Sequence, residues 1–229
     1  MEMQHELDAA IPVALLHADP IRLEMGIERF ASGTLTVACR TIMPGCNGAM
    51  LEWWFKYFET DEHLRWWHPI DHKRHFGWDE LWKKGENYIG ATIRATESLG
   101  EVPPVKATIK FLSPAAYFSA TDIDAAKKVG GVSALFYAGI GFGDDVEVDE
   151  HGIPTSGRMM HVTRDTPDGL VLRSRFVLGL DSDKGGHAVP DEIGLGLMRH
   201  CHSEFSFLAK ALPSVYYGDL ANSRPADNW

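Results

Sequence analysis

The hydrophobic positions of this chain repeat at helical spacing near residue 50 and more often at strand spacing through its middle. Met50–Phe58 is aromatic with a helical period, and a second short helix is predicted to start at Thr60 and to end near Pro69. A loop is predicted over Trp66–His72. Short runs rich in β-branched and aromatic residues, separated by turn signals, predict antiparallel strands. These strands are Thr34–Ile42, Tyr88–Ser98, Val105–Leu112, Leu135–Phe142, Val146–Val148, Arg158–Asp165 and Leu170–Leu180.

The last predicted element is a long helix over Asp191–Leu212, which Pro213 is expected to end. On a helical wheel its polar residues form one stripe and its apolar residues form a broad arc. His200 and Glu204 fall inside the apolar arc, four residues apart and therefore on one face. We expect that face to be directed into the protein.

This order of elements predicts an α+β fold in which a curved antiparallel sheet is crossed by one long C-terminal helix, the helix-grip arrangement. No repeat or linker divides the chain, so residues 1–229 are predicted to form a single domain. Residues 1–45 are an N-terminal extension whose packing the pattern does not define. A loop is predicted over Asp181–Gly186 and a loose tail over 218–229.

Composition and charge narrow the range of partners. The formal net charge is -10 over 229 residues, and no Lys/Arg cluster offsets it, so we expect no nucleic-acid partner. Three cysteines without a CxxC motif favour a reducing cytoplasm. No apolar run reaches about 18 residues and the N-terminus lacks a signal-peptide pattern, so we expect no membrane partner.

Two histidine-containing patterns indicate where a metal could bind. His200 and Glu204 would be costly to bury unpaired, and a metal cation, a mutual contact or a buried arginine would each compensate them. Four histidines also fall within thirteen residues, at 63, 68, 72 and 75. A zinc site needs three or four nitrogen, sulfur or oxygen ligands. His72, His200 and Glu204 would supply three and Glu97 a fourth, although no spacing rule predicts that set.

Several segments together resemble the diacetylphloroglucinol hydrolase and phloretin hydrolase family. They occur in order between about residues 49 and 217. Their joint order is more specific than any one of them. The segments are Glu52-Trp53-Trp54-Phe55, Leu64–His72, Gly90–Gly100, His161–Asp165, Arg173–Phe176 and His200–Tyr216.

The resemblance implies a Bet v 1/START-like helix-grip fold and metal-dependent cleavage of a carbon–carbon bond between an acyl group and a phenolic ring. It implies that His72, Glu97, His200 and Glu204 are ligands of Zn²⁺ or another divalent transition metal. His161 then corresponds to the family's catalytic histidine, and a homodimer is the implied assembly.

The chain departs from the family where the substrate is held. Two tyrosines and an asparagine that bind phenolic hydroxyls in the family correspond to Leu64, Phe176 and His75 here. His68 is a further candidate for the substrate pocket or for orienting a ligand. The metal chemistry is therefore expected to be kept while the substrate has changed.

The expected function is a zinc-type hydrolase that cleaves a carbon–carbon bond next to a carbonyl in a small acyl-aromatic or diketone-like compound. One alternative is a non-catalytic helix-grip module that binds an apolar small molecule. Another is an oxygenase that uses iron, since two histidines and two carboxylates do not exclude that metal.

Overall fold

The computed structural model describes residues 2–181 and 188–219. Most of the predicted loop over Asp181–Gly186 and most of the predicted tail lie outside these residues. In the described ranges, no helix is both long and apolar enough to cross a membrane.

Five α-helices and eight β-strands make up the described part of the chain. The helices are α1 (Glu2–Ala10), α2 (Gly48–Tyr57), α3 (Asp61–Trp67), α4 (Ala120–Lys128) and α5 (Asp191–Gly218). The strands are β1 (Gly26–Arg29), β2 (Leu35–Pro44), β3 (His72–Trp78), β4 (Thr92–Leu99), β5 (Val102–Leu112), β6 (Ala134–Phe142), β7 (Gly157–Thr166) and β8 (Gly169–Leu178). Single 3-10 turns occur at Val13–Leu16 and Pro114–Ala116.

All eight strands form one antiparallel sheet in the order β1-β2-β8-β7-β6-β5-β4-β3. The helix α5 packs across one face of this sheet, against β1, β2 and β4. Glycines allow close approach there, because an added Cβ at Gly196 would lie 2.9 Å from the carbonyl oxygen of Leu99. The predicted α+β helix-grip arrangement is therefore confirmed.

The N-terminal extension packs against the sheet face opposite α5. Leu7 and Leu15 join Val177 in a second apolar core there, while β1 and β2 are strands of the sheet itself. The described residues of this extension therefore do not cover the space between α5 and the sheet.

The prediction that Pro213 ends the last helix is wrong. The helix α5 continues through Pro213 to Gly218. A proline in a helix leaves the carbonyl four residues earlier without its N–H partner. Here that carbonyl, on Ala209, accepts a weak hydrogen bond from the thiol of Cys46 at 3.7 Å. This bond lowers the free-energy cost of continuing the helix past the proline.

Two other boundaries need correction. The predicted loop over Trp66–His72 is shorter, because α3 includes Trp67 and His72 already begins β3. Val146–Val148 is not a strand, and Val148 forms only an isolated bridge with Pro154.

A candidate metal centre at an interior cavity

A cavity lies between α5 and the inner face of the sheet. Phe111, Ile140 and Phe176 form part of its sheet wall, and Phe55 and Leu197 contribute from helices. His72, Glu97, His161, His200 and Glu204 also line it. Imidazole and carboxylate groups are therefore gathered in a mainly apolar interior, where they have a large electrostatic effect.

Three elements bring the four predicted ligands together. His72 begins β3 and lies directly opposite Glu97 of β4, and α5 supplies His200 and Glu204. His72 Nε2 is 3.7 Å from Glu97 Oε2 and 3.6 Å from Glu204 Oε2. His200 Nε2 is 3.7 Å and 3.8 Å from the same two oxygens.

These separations suit a bound divalent ion. Bonds of about 2.0 to 2.2 Å in a tetrahedral arrangement hold ligand atoms roughly 3.3 to 3.6 Å apart, so the cluster is only slightly wider than such an ion requires. Two imidazole nitrogens and two carboxylate oxygens are also a donor set that zinc and other divalent transition metals accept.

Burial shifts the pKa values of all four groups in directions that favour binding of a cation. Burial raises the pKa of Glu97 to about 7, with His72 opposing the rise and Glu204 adding to it. Burial also raises the pKa of Glu204 well above its ordinary value. It lowers the pKa of His72 and lowers that of His200 to about 3. The imidazoles are therefore neutral and ready to donate lone pairs, while the carboxylates lack a positive partner.

Hydrogen bonds behind the cluster orient both imidazoles. His72 Nδ1 donates to the carbonyl oxygen of Leu64 at 2.9 Å, and His200 Nδ1 donates to Asp71 Oδ2 at 3.1 Å. Each bond leaves Nε2 with its lone pair on the side of the carboxylates, as is usual for metal-binding histidines. Asp71 also accepts from the backbone N–H of Gly100 at 3.3 Å.

His68 lies behind this layer and does not line the cavity. Its ring stacks on His200 with centroids 5.1 Å apart, and its Nε2 is 2.7 Å from the hydroxyl of Ser203. His68, Asp71 and His200 also lie within reach of one another as a possible ligand group, but their hydrogen bonds already use these atoms.

His161 lies on β7, on the sheet side of the cavity. It is directly opposite Ser174 of β8, and its Nδ1 is 2.8 Å from the Ser174 hydroxyl. Burial lowers the pKa of His161 to about 3, so the ring is neutral. Its Nε2 has no hydrogen-bond partner among the described residues, which leaves that atom available to a ligand in the cavity.

The other predicted pocket residues divide into two groups. Leu64 and Phe176 line the cavity, whereas His75 does not. The ring of His75 lies 6.0 Å from that of Phe58, and its Nε2 is buried without a partner in the described chain. The assignment of His68 and His75 to the pocket therefore does not fit this cavity.

Asp71 and Ser174 are not among the site residues predicted from the sequence. Asp71 belongs to a segment that resembles the family, but its contact with His200 spans 129 positions. Ser174 lies between Arg173 and Arg175 on β8, a strand that is buried at every position. A polar residue between them in a buried strand was the available signal.

The fold and this cluster define a helix-grip protein with a candidate metal centre in its interior. The family model described as DAPG hydrolase PhiG domain matches residues 12–217, and the chain belongs to that family.

Similar proteins include 2,4-diacetylphloroglucinol hydrolase from Pseudomonas protegens, at 27% identity over 88% of this chain and 70% of that one. Phloretin hydrolase from Eubacterium ramulus is also 27% identical, over 84% of this chain and 71% of that one. Among solved structures, the crystal structure of Ara h 8.0201 shares 11% identity with a TM-score of 0.45, covering 79% of this chain and 99% of that one. That structural likeness is too distant to bear on the site.

Proposed function

We propose that this protein is a metal-dependent hydrolase that cleaves a carbon–carbon bond next to a carbonyl in a small acyl-aromatic or diketone-like compound. The observation that carries the proposal is the cluster of His72, Glu97, His200 and Glu204 at the wall of a cavity that also contains His161. The named activities of two relatives, hydrolysis of 2,4-diacetylphloroglucinol and of phloretin, support the reaction class.

The four clustered residues would hold the ion, and zinc is the metal we propose. A divalent ion in this position supplies Lewis acidity toward a carbonyl oxygen and toward water. Asp71 and the carbonyl of Leu64 keep both imidazoles in the orientation that binding requires.

His161 is the group that we propose moves the proton. Its Nδ1 is hydrogen-bonded to the hydroxyl of Ser174. Nε2 is therefore the nitrogen that can take a proton from water and deliver it to the leaving carbon. Because burial keeps the ring neutral, it can start as a base. The apolar walls of the cavity exclude bulk water from the departing carbanion.

The test compares metal content and turnover in three variants. Elemental analysis of the wild type should give about one metal per chain, and His200→Ala/Glu204→Ala should lose it while remaining folded. His161→Ala should keep the metal and lower kcat by about 100-fold or more, measured as acid released from a panel of acylphenols and 1,3-diketones. His202→Ala is the matched control, because His202 is exposed on the same helix. Full activity in His161→Ala would remove that residue from the mechanism.

The apolar wall also suits a second candidate, a non-catalytic module that binds an apolar small molecule. That candidate predicts no bound metal, even after incubation with zinc, and unchanged ligand binding in the double variant. Oxygen consumption during turnover would instead indicate an iron oxygenase.

A further inference from the structure

The walls of the cavity offer very few hydrogen-bonding groups. Apart from the four candidate ligands and His161, the described residues that line it are hydrophobic, and the indole of Trp67 is the one side chain among them with an N–H or O–H group. We infer that the substrate is an apolar 1,3-diketone and not a polyhydroxylated acylphenol. This inference rests on the proposed function and specifies the substrate of the same site.

Two hydrophobic residues lie next to the reactive groups. The ring of Phe176 lies edge-on to His161 with centroids 5.7 Å apart. Leu64 lines the cavity while its own carbonyl holds His72. The side chains of both residues are almost fully buried, at 4% and 3% exposure. The surface around the reacting atoms is therefore hydrocarbon on the side of α3 and on the side of β8.

A hydrocarbon surface discriminates against hydroxyl groups. A phenolic hydroxyl placed against the hydrocarbon side chains of this wall gives up its hydrogen bonds to water and gains none from them. Each unpaired hydroxyl is expected to lower affinity by about 10-fold or more. A substrate with several ring hydroxyls would accumulate that loss, whereas an apolar diketone would not.

A 1,3-diketone also carries its own electron sink. Water adds across the bond between one acyl carbon and the central CH₂ carbon, so that R–CO–CH₂–CO–R′ and H₂O give R–COOH and CH₃–CO–R′. The electron pair of the broken bond passes to the central carbon and is delocalised into the second carbonyl. The proton from water, carried by Nε2 of His161, ends on that carbon, and no oxidant or reductant is needed. The leaving group therefore needs no hydroxyl-binding residues for its stabilisation.

The experiment compares two probes with the metal-loaded full-length protein. The ratio of kcat/KM for 1-phenyl-1,3-butanedione to that for 2,4-diacetylphloroglucinol is measured by chromatography of the acid and ketone products. We expect a preference of at least about 100-fold for the diketone, from two or more unpaired hydroxyls in the acylphenol. A preference for the acylphenol would overturn the inference and leave the proposed hydrolase in place. Cleavage of neither probe would overturn the inference, and the metal-content and His161→Ala comparison would then decide the hydrolase proposal separately.

A pair of substitutions at one wall position tests the cause of the preference. Phe176→Tyr adds a hydroxyl beside His161 and should reduce the diketone preference by about 10-fold, whereas Phe176→Leu should keep it within about threefold. Equal changes in the two variants would show that polarity at this wall does not set specificity. Because the wild-type comparison stands without either variant, a folding defect in one of them does not remove the test.

Discussion

At the scale of single residues, the candidate centre depends on which nitrogen of each histidine carries the proton. A backbone carbonyl can only accept, so the 2.9 Å contact between Leu64 and His72 requires a proton on Nδ1 of His72. Asp71 Oδ2 imposes the same choice on His200 at 3.1 Å. Both rings therefore present an unprotonated Nε2 to the carboxylates before any ion arrives, which lowers the cost of binding one.

The role of Asp71 in metal binding can be tested without substituting any of the four candidate metal ligands. Asp71→Ala removes the acceptor behind His200 and should weaken metal affinity by about 10- to 100-fold. Asp71→Asn keeps an acceptor oxygen, so it should lose less. Affinity is measured by competition with a chromogenic chelator.

Asp124→Ala is the matched control for Asp71, since Asp124 is exposed on α4. Unchanged affinity in Asp71→Ala would mean that the hydrogen bond does not prepare the imidazole. Equal losses in Asp71→Ala and Asp71→Asn would assign the effect to charge alone.

At the scale of elements, one arginine joins the N-terminal segment to the sheet. Arg173 of β8 is buried, and its guanidinium donates to both carboxylate oxygens of Glu24 at 3.1 and 2.7 Å. It also donates to the carbonyl oxygens of His17 and Asp19. One side chain thus satisfies three separate acceptor groups of a segment that has little regular structure of its own.

Removing this contact should destabilise the fold. Arg173→Ala leaves two carbonyls without their donor and leaves Glu24 with the backbone N–H of Ile21 in place of a cation. We expect a loss of about 3 kcal/mol in the free energy of unfolding, measured with urea. Arg22→Ala serves as the control from the same segment. Its ion pair with Glu28 is exposed, so its loss should have little effect on the free energy of unfolding. Similar losses in the two variants would contradict a special role for the contacts of Arg173.

The sequence allowed prediction of elements that are long and clearly bounded by turn or capping signals. The helix α5 begins at its predicted residue, and its mixed buried and exposed positions give it a helical period. The strands β7 and β8 lie close to their predicted bounds. Because β8 is buried at every position, turn signals and β-branched residues marked it, not alternation. Strand β3 was missed because it is an edge strand of the sheet. His72 is buried but Lys73, Arg74 and Phe76 are exposed, so no alternation marks it.

The residues of the candidate site were harder to predict from the sequence pattern than the elements that carry them. His200 and Glu204 could be paired because both lie on one helix face. His72 and Glu97 face each other only because β3 and β4 pair in one particular register, which their spacing does not encode. Their assignment came from the family resemblance, and it remains a prediction until metal binding is measured.

At the scale of the whole molecule, the candidate ligands join parts of the fold that are otherwise held mainly by apolar packing. His72 and Glu97 come from the β3 end of the sheet, while β2, the strand with the most extensive packing against α5, lies near the other end. An ion bound by His72, Glu97, His200 and Glu204 would therefore tie the C-terminal helix to the far edge of the sheet. Binding at this centre should stabilise the protein as a whole.

That stabilisation should depend on pH in a definite direction. In the metal-free protein, the pKa of Glu97 is about 7, above its ordinary 4.5, so its protonated form favours folding at low pH and this stability is lost as pH rises through 7. The raised pKa of Glu204 acts in the same direction. The lowered pKa of His72 adds stability only up to its ordinary value of 6.5, so above that pH the carboxylate effect dominates.

We therefore expect the metal-free protein to lose thermal stability between about pH 6.5 and pH 8, while the metal-bound protein does not, since the ion replaces the protons. The difference in Tm between zinc-loaded and chelator-treated protein should be larger at pH 8 than at pH 6. In Glu97→Gln, which is uncharged at every pH, both the difference and its growth with pH should shrink. Glu62→Gln, at an exposed position, should behave as wild type. If zinc raised Tm equally at both pH values, the carboxylates would not be exchanging protons for the ion, and the ligand set would have to be reconsidered.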